Sequence, residues 1–317
     1  MQKNEIISII VPLYNEAKNI NILYKELLEA SKLLDSDFEI ILVNDGSKDN
    51  TISILADLYN HKGNTNLKIV TFIKRFGQTQ AIQAGIDKAQ GNIIVLIDGD
   101  LQNEPKDIPL LINKLKQGWD LVNGWRRLRK GPFFSKSLPS LAANMIIRRF
   151  TGIDLHDVGC GLKVFKRKVL EGQFFLGSIH RFFPLQVALK GYKVGEVIVS
   201  HKNRIYERSK YGWLRIYEVV LDMFRMQFFE KYFSSPLYYF GIPAFILLGI
   251  GVFLGIFVIV REAFFGGDWL SPLFFISIIL FFLGIQIFLL GIIAEVLVRI
   301  FLRDNEKKPY IIQEFKE

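Results

Sequence analysis

The first 124 residues alternate between two hydrophobic patterns. Short, continuous apolar runs predict buried strands at 6–11, 38–43, 67–72 and 93–97, and a further strand begins at 121. The stretches between them repeat apolar side chains every three or four residues, which predicts helices over 17–34, 51–59, 79–89 and 105–117. Fully apolar strands separated by helices are typical of a parallel sheet covered on both faces. We therefore predict an α/β domain over residues 1–211.

Two long apolar runs follow in the last third of the chain. Residues 237–260 and 270–294 contain no charged side chain, and each run is longer than the roughly 20 residues that a helix needs to cross a bilayer. The short link between them predicts a transmembrane hairpin. Lysine and arginine residues precede it at Arg225 and Lys231 and follow it at Arg299 and Arg303. This distribution places both ends of the hairpin, and the α/β domain, in the cytoplasm.

Basic residues also occur in two amphipathic segments. Residues 125–150 interleave seven lysines and arginines with apolar and aromatic side chains, a composition that suits a membrane surface, although a solvated basic helix packed on the sheet is the alternative. Residues 212–233 predict a helix lying in the membrane interface. The net charge of +9 is consistent with attraction to anionic lipid or an anionic substrate, and the membrane segments argue against nucleic acid as the partner.

The cysteine content and the N-terminus support a cytoplasmic location. Cys160 is the single cysteine, so neither an intramolecular disulfide nor a cysteine metal cluster can form. The apolar run at 6–11 is too short for a signal peptide. We expect a multi-pass protein of the inner (plasma) membrane, with residues 295–317 as a cytoplasmic tail and 304–317 as its loosest part.

Polar residues follow three of the predicted strands. Ligands of parallel α/β sheets bind beyond the carboxyl ends of the strands, and here those ends carry Tyr14-Asn15-Glu16, Asn44-Asp45-Gly46-Ser47 and Asp98-Gly99-Asp100. The three clusters should therefore lie at one edge of the sheet. This convergence predicts a ligand site at that edge.

The Asp98-Gly99-Asp100 cluster has the chemistry of a divalent-cation site. Residues i and i+2 of an extended chain point the same way, and Mg²⁺ or Mn²⁺ prefers oxygen ligands, often one or two carboxylates together with substrate phosphates. The alternative is a surface turn rich in Asp and Gly. Asp45 could accept hydrogen bonds from a base or ribose, or cap the following helix.

Four motifs in combination resemble a known family. Val11-Pro-Leu-Tyr-Asn-Glu16, Asn44-Asp-Gly-Ser47, Asp98-Gly-Asp-Leu-Gln102 and Asp157-Val-Gly-Cys-Gly161 resemble the inverting family 2 glycosyltransferases with the GT-A fold. The C-terminal hairpin narrows the resemblance to polyprenyl-phosphate glycosyltransferases, relatives of dolichol-phosphate mannose synthase. The chain looks closest to bacterial enzymes that load glucose onto undecaprenyl phosphate.

The resemblance implies a role for each matching residue. Asp157 corresponds to the acidic residue that acts as base or organises the acceptor site. The nucleotide-binding positions would be Pro12, Tyr14, Asn15, Glu16, Asp45, Asp98 and Gly99. The metal site would comprise Asp98, Asp100 and Gln102. The acceptor phosphate would contact Arg126, Lys136, Ser140, Arg204, Ser209 and Lys210. This chain departs from the pattern at Glu207, where the family usually has Gly, and at Asn44, where many members have Asp.

The implied reaction is the inverting transfer of one sugar to a polyprenyl phosphate. The resemblance favours UDP-glucose as donor, undecaprenyl phosphate as acceptor and Mn²⁺ or Mg²⁺ as cofactor, in a homo-oligomer, either a tetramer or a dimer. Mannose, N-acetylglucosamine and amino-arabinose donors are alternatives within the same reaction. A non-catalytic membrane scaffold that keeps a nucleotide-sugar fold is an alternative of a different class.

Overall fold

The computed structural model of the 317-residue chain describes residues 5–34, 36–62, 66–127, 153–170, 181–202, 236–266, 270–303 and 312–316. These residues fall into two compact units. The first contains an α/β sheet domain, and the second contains a pair of long apolar helices. Most of the predicted 125–150 segment and all of the predicted 212–233 helix lie outside the described residues, so both stay predictions.

The described part of the first unit contains an eight-stranded mixed sheet with the spatial order β7-β5-β6-β4-β1-β2-β3-β8. Its strands are β1 (Ile7–Leu13), β2 (Phe38–Asn44), β3 (Leu67–Phe72), β4 (Ile93–Leu96), β5 (Leu121–Trp125), β6 (Lys163–Lys166), β7 (Val194–Ile198) and β8 (Ile312–Lys316). The helices are α1 (Ile20–Ser31), α2 (Thr51–Lys62), α3 (Gln78–Lys88), α4 (Ile108–Lys116) and α5 (Phe183–Leu189). The sequence pattern predicted the first five strands and the first four helices in this order.

Buried apolar clusters cover both faces of the central strands. Successive strand residues point to opposite faces, so Ile9 and Val11 belong to one cluster with helices α1 and α4, whereas Ile10 belongs to the other with α3. This arrangement explains why these strands read as continuous apolar runs rather than alternating ones. The parallel strands β4, β1, β2 and β3 end at one edge of the sheet.

Strand β6 runs antiparallel between β4 and β5. In this register Lys163, the first residue of β6, lies opposite Leu96 near the end of β4 and opposite Asn123 of β5. Because β6 is reversed, its amino end lies at the edge where β4 and β5 have their carboxyl ends. The segment before β6, which contains Asp157, therefore reaches the same edge as the predicted ligand site.

The C-terminal tail differs from the sequence prediction. Residues 304–317 have no regular pattern, yet Ile312–Lys316 forms β8, which pairs antiparallel with β3. The strand occupies an edge of the sheet that would otherwise present unpaired backbone groups. A sequence pattern could not reveal this pairing, since the partner strand is more than 200 residues away in the chain.

The second unit contains α6 (Pro236–Phe265) and α7 (Pro272–Arg303), both long and apolar enough to cross a membrane. Helix α6 extends beyond the predicted span of 237–260 at both ends, and Gly266, which follows it, has a positive φ of 67°, typical of a helix C-terminus. Helix α7 begins two residues after the start of the predicted span of 270–294 and continues past its end to Arg303. Close packing pairs them: a Cβ on Gly251 would meet the backbone oxygen of Ser277 at 2.9 Å, and one on Gly284 would meet that of Ala244 at 2.9 Å. Small residues thus allow the close helix contact typical of membrane hairpins.

A buried ion pair and its hydrogen bonds join three strands at the amino edge of the sheet. The Lys68 Nζ lies 3.2 Å from a Glu39 carboxylate oxygen, and both side chains are under one-tenth exposed. The other Glu39 oxygen accepts a hydrogen bond from the Ser8 hydroxyl at 2.5 Å and from the Gln90 backbone N–H at 2.6 Å. Removal of Lys68 would leave the Glu39 charge buried without its cation.

We predict that Lys68→Met destabilises the protein by about 3 kcal/mol, because it leaves half of a buried pair uncompensated. In a domain of this size that loss lowers the melting temperature by about 6–12 °C, measured by thermal unfolding in detergent. Lys116→Met is the matched control, since its 3.6 Å pair with Glu5 is exposed and should contribute less than about 1 kcal/mol. Equal melting temperatures for the two variants would contradict the prediction.

Candidate active site

The loops that follow β1 and β2 are joined by side-chain hydrogen bonds. The Asn15 backbone N–H donates to the Ser47 hydroxyl at 2.9 Å, and the Asn15 side-chain oxygen accepts from the Lys48 N–H at 2.8 Å. Asn15 adopts a positive φ of 58°, a conformation that asparagine tolerates better than most residues. The Glu16 N–H donates to the Thr51 hydroxyl at 3.1 Å. These bonds hold the first two predicted clusters together.

Asp45 binds the loop that follows β3. Its buried carboxylate accepts hydrogen bonds from the backbone N–H groups of Phe76, at 2.6 Å, and Gly77, at 2.9 and 3.0 Å. Burial raises the pKa of Asp45 above its usual value, and these hydrogen bonds oppose the shift. The Arg75 guanidinium lies 4.1 Å from the centre of the Tyr14 ring, within cation–π range. The predicted nucleotide residues Tyr14 and Asp45 therefore share one wall with the β3–α3 loop.

The Asp98-Gly99-Asp100 cluster lies immediately after β4. The Gln78 side-chain amide donates to Asp98 Oδ1 at 2.8 Å, and the Gln102 backbone N–H donates to Asp100 Oδ1 at 3.1 Å. Burial, together with the neighbouring charge of Asp100, raises the pKa of Asp98. The two carboxylates thus repel each other in a position where a cation would stabilise both.

The absence of a side chain at two glycines makes room for the close packing of this cluster. A Cβ on Gly99 would lie 2.5 Å from the Leu13 side chain, and a Cβ on Gly161 would lie 2.0 Å from Asp98 Oδ2. Gly161 ends the Asp157-Val-Gly-Cys-Gly motif, so that motif packs directly against the Asp98 carboxylate. The sequence placed both motifs in one site by resemblance alone, and their contact comes from the antiparallel insertion of β6.

Asp157 and Arg126 form a bidentate ion pair. The guanidinium donates from Nε to Asp157 Oδ2 at 2.6 Å and from Nη2 to Asp157 Oδ1 at 2.9 Å, and the Arg126 backbone N–H also donates to Oδ2 at 3.2 Å. Both side chains are largely buried. Burial acts to lower the pKa of Arg126, but the hydrogen bonds and charge of Asp157 outweigh it and raise that pKa. Arg126 is therefore a permanent, fixed cation at this edge.

Glu196 of β7 holds the loop that carries Asp157. Its carboxylate accepts hydrogen bonds from the backbone N–H groups of His156, at 2.8 Å, and Asp157, at 3.0 Å, and lies 2.9 Å from the His156 Nδ1. The His156 ring stacks on Trp125 at a centroid distance of 4.1 Å. Asn123 also donates to the Asp157 backbone oxygen at 2.7 Å. Asp157 is thus fixed through its backbone as well as its carboxylate.

Lys163 is a buried amine beneath the site. Its Nζ donates to the Cys160 backbone oxygen, and its charge acts on both Asp98 and Asp157. Burial lowers the pKa of Lys163. The negative charges of Asp98 and Asp157 oppose that shift.

The structure brings together the predicted residues that it describes. Pro12, at the end of β1, pairs in register with Val43 of β2, and Tyr14, Asn15, Glu16, Asp45, Asp98, Gly99, Asp100, Gln102, Arg126 and Asp157 lie in the loops at the same edge. The predicted acceptor-phosphate residues Lys136, Ser140, Arg204, Ser209 and Lys210 lie outside the described residues. For the predicted residues that the structure describes, the contacts above show what holds each side chain in place. The ligand that each of them binds stays a prediction.

Sequence reasoning missed several residues that build this edge. The segment that follows β3 carries Arg75, Phe76, Gly77 and Gln78, and the strand-end rule that identified the other three clusters applies equally to this one. Asn123, Glu196 and Lys163 were also missed, and the sequence carries no local signal for them, because their roles depend on strand pairing.

The fold and the site together define an α/β transferase domain of the GT-A type, followed by a pair of candidate membrane-spanning helices. A sequence model described as Glycosyl transferase family 2 matches residues 8–174. The chain therefore belongs to glycosyl transferase family 2, and it is a glycosyltransferase.

Relatives match over most of the chain. A dodecaprenyl-phosphate galacturonate synthase of Rhizobium johnstonii is 35% identical over 97% of this chain and 92% of its own length. An undecaprenyl-phosphate 4-deoxy-4-formamido-L-arabinose transferase of Pseudomonas fluorescens is 31% identical over 83% of this chain and 75% of its own. Among solved structures, a mannosyl-3-phosphoglycerate synthase from Rubrobacter xylanophilus has a TM-score of 0.55 and 13% identity over 72% of this chain and 75% of its own. That likeness supports the fold.

We predict that Gly161→Ala lowers the sugar-transfer rate by about 100-fold or more, because the new methyl group would displace the Asp98 carboxylate and misplace it by about 1 Å. Gly159→Ala in the same motif is the control, since its Cβ would meet only Arg126 Nη2, at 3.8 Å, an ordinary contact. Turnover of the two purified variants under identical conditions checks this. Similar rates in both would show that the contact with Asp98 is unimportant.

Proposed function

We propose that this enzyme transfers a single sugar from a nucleotide-activated donor to a polyprenyl phosphate. The observation that carries the proposal is the presence, at one sheet edge, of a carboxylate pair suited to a donor-bound cation and a fixed arginine suited to an acceptor phosphate. The 35% identical relative is named for dodecaprenyl phosphate and the 31% identical one for undecaprenyl phosphate, which supports the same class of acceptor here.

The family resemblance favoured glucose as the donor sugar, whereas the names of these relatives favour other sugars. The sugars in their names, galacturonate and 4-deoxy-4-formamido-L-arabinose, share the galactose arrangement at ring carbons 2 to 4, with an axial substituent at C4. Glucose has an equatorial C4 hydroxyl. We therefore propose a UDP-activated sugar of galacto configuration, either a uronate or an amino-arabinose derivative, as the donor.

The residues at the end of β4 fit a divalent cation, Mn²⁺ or Mg²⁺. Asp98 and Asp100 offer carboxylate oxygens, the donor type that these hard cations prefer, and mutual repulsion of the two carboxylates favours a cation between them. Gln102 lies beside the pair. When bound, the cation supplies positive charge that stabilises the departing nucleoside diphosphate.

The chain's own residues then orient the two anionic substrates. Tyr14 and the β3–α3 loop bind the nucleotide, and Glu16 and Asn15 close the same wall. The Arg126 guanidinium has five N–H donors. Two of them donate to the Asp157 carboxylate, and the proposal assigns the remaining donors to the acceptor phosphate. An oxygen of that phosphate attacks the anomeric carbon from the face opposite the nucleotide. The bond from that carbon to the diphosphate breaks, and the nucleoside diphosphate leaves with its electrons.

Asp157 acts in this proposal by holding Arg126. A phosphate monoester has a second pKa of about 6 and is largely a dianion at neutral pH, so it needs no base to remove a proton. The carboxylate of Asp157 is already engaged in the bidentate pair. Lys136, Ser140, Arg204, Ser209 and Lys210 are proposed to complete the phosphate site.

The reaction is proposed to occur on the cytoplasmic face of the inner membrane. The two long apolar helices α6 and α7 would anchor the enzyme, and the basic residues at both ends of the hairpin support a cytoplasmic location for the sheet domain. The 212–233 segment would lie in the interface, and a tetramer or dimer stays a prediction.

The first test incubates the purified protein in detergent with undecaprenyl phosphate, Mn²⁺ and, separately, UDP-galacturonic acid, UDP-4-deoxy-4-formamido-L-arabinose or UDP-glucose. We expect metal-dependent glycolipid with a galacto-configured donor, and none from the Asp98→Ala/Asp100→Ala variant. Product from UDP-glucose and from neither of the other donors would contradict the galacto-configured donor and support glucose, the sugar that the family resemblance favoured. Binding of nucleotide without turnover on any donor would favour the scaffold alternative.

In sealed inverted vesicles, added donor should be used without permeabilisation, which tests the cytoplasmic location.

A second test uses the pH dependence of the Asp157→Asn variant. We expect its rate to fall about ten- to hundredfold, the loss predicted for a charge-assisted hydrogen bond that orients Arg126. The variant should keep the rise in rate near pH 6 that reflects ionisation of the acceptor phosphate. Rate measurements from pH 5 to 8 check this, and disappearance of that rise would show instead that Asp157 is a true base.

A further inference from the structure

The loop between β3 and α3, here the Arg75–Gln78 loop, contacts the two halves of the donor site. At one end Arg75 lies over the Tyr14 ring. In the middle, the backbone N–H groups of Phe76 and Gly77 donate to Asp45. At the other end, the Gln78 side chain donates to Asp98 Oδ1 at 2.8 Å. Four consecutive residues thus connect the proposed nucleotide wall with the proposed metal carboxylates.

The backbone of this loop is held closely in place. Gly46, with φ of +62°, lets it pass so near that a Cβ at that position would lie 2.3 Å from the Lys74 carbonyl carbon. Gly77 adopts φ of +104°, and α3 begins at the next residue, Gln78. The following helix buries Thr79 and Ala81 in the sheet domain. Gln78 is therefore presented to Asp98 from a backbone that cannot shift easily.

The Gln78 amide is directed at one of the two carboxylates proposed to bind the cation. Asp98 lies beside Asp100 after β4, and its Oδ1 accepts the Gln78 hydrogen bond at 2.8 Å. A neutral amide donates a hydrogen bond without adding a positive charge that would compete with a cation. Hydrogen-bonded partners of this kind orient metal-binding carboxylates, and their loss commonly costs 10- to 100-fold in metal affinity.

We propose that Gln78 is a positioning residue that holds Asp98 in the orientation required to bind the divalent cation. This role rests on the proposed function, because it requires the metal site at Asp98 and Asp100. A purely structural role fits the observations less well, since Gln78 is exposed, stands at the first position of α3 and makes its described side-chain contact with Asp98.

Gln78→Met tests the role, because methionine keeps the length and helix propensity of the side chain and removes the donor. The matched control is Gln83→Met on the same helix, where the amide donates to Asp87 Oδ1 at 2.9 Å, also an exposed amide–carboxylate bond, outside the donor site. Both variants are purified in detergent as the full chain. Binding of Mn²⁺ is measured without nucleotide by electron paramagnetic resonance, alongside melting temperature.

We expect Gln78→Met to weaken Mn²⁺ binding by about tenfold, while Gln83→Met matches the wild type and both melt at the wild-type temperature. In an Asp98→Ala background, Gln78→Met should have no further effect, since the two residues act through one contact. Equal Mn²⁺ affinities for the two methionine variants would overturn the role of Gln78. A wild-type protein that transfers sugar but binds no Mn²⁺ would overturn the metal site itself and this role with it.

Discussion

The concentration of carboxylates at one edge of the sheet is the constraint on which the arrangement of this edge depends. Asp45, Asp98, Asp100 and Asp157 all lie in loops that end at the same side of the sheet. Hydrogen-bond donors offset the negative charge of three of these carboxylates: backbone N–H groups for Asp45, a side-chain amide for Asp98 and a guanidinium for Asp157. Lys163 is buried beneath them, and the negative charges of Asp98 and Asp157 oppose the fall in its pKa that burial causes. A divalent cation would give its greatest stabilisation at the carboxylate pair after β4, Asp98 and Asp100.

The same electrostatic problem reappears in the proposed chemistry. A nucleoside diphosphate sugar and a lipid phosphate are both anions, and they must approach within bonding distance. A cation at the carboxylate pair would neutralise the first, and Arg126 would neutralise the second. Arg126 can do this because Asp157 occupies two of its donors and fixes the direction of the others. The pair therefore acts as an oriented positive group rather than a flexible surface charge.

Rigidity at the edge comes from elements far apart in the chain. Glu196 of β7 holds the backbone of the Asp157 loop, Asn123 of β5 holds it again, and Gly161 brings the end of that loop against Asp98. The β3–α3 loop is held by Asp45 on one side and reaches Asp98 on the other. Groups that must be placed within a fraction of an ångström are thus supported by bonds to backbone atoms, which move less than side chains.

The sequence by itself determined the strands β1 to β5, the first four helices, the two apolar spans and the three polar clusters at strand ends. These features follow from local periodicity and from chain direction in a parallel sheet, both of which are written in consecutive residues. Only the tertiary structure decided that β6 enters antiparallel, that β8 covers β3, and that Asp157 pairs with Arg126 while Gln78 meets Asp98. Those contacts join residues 20 to more than 200 positions apart, and no local pattern specifies which distant partner a buried charge or an edge strand will find.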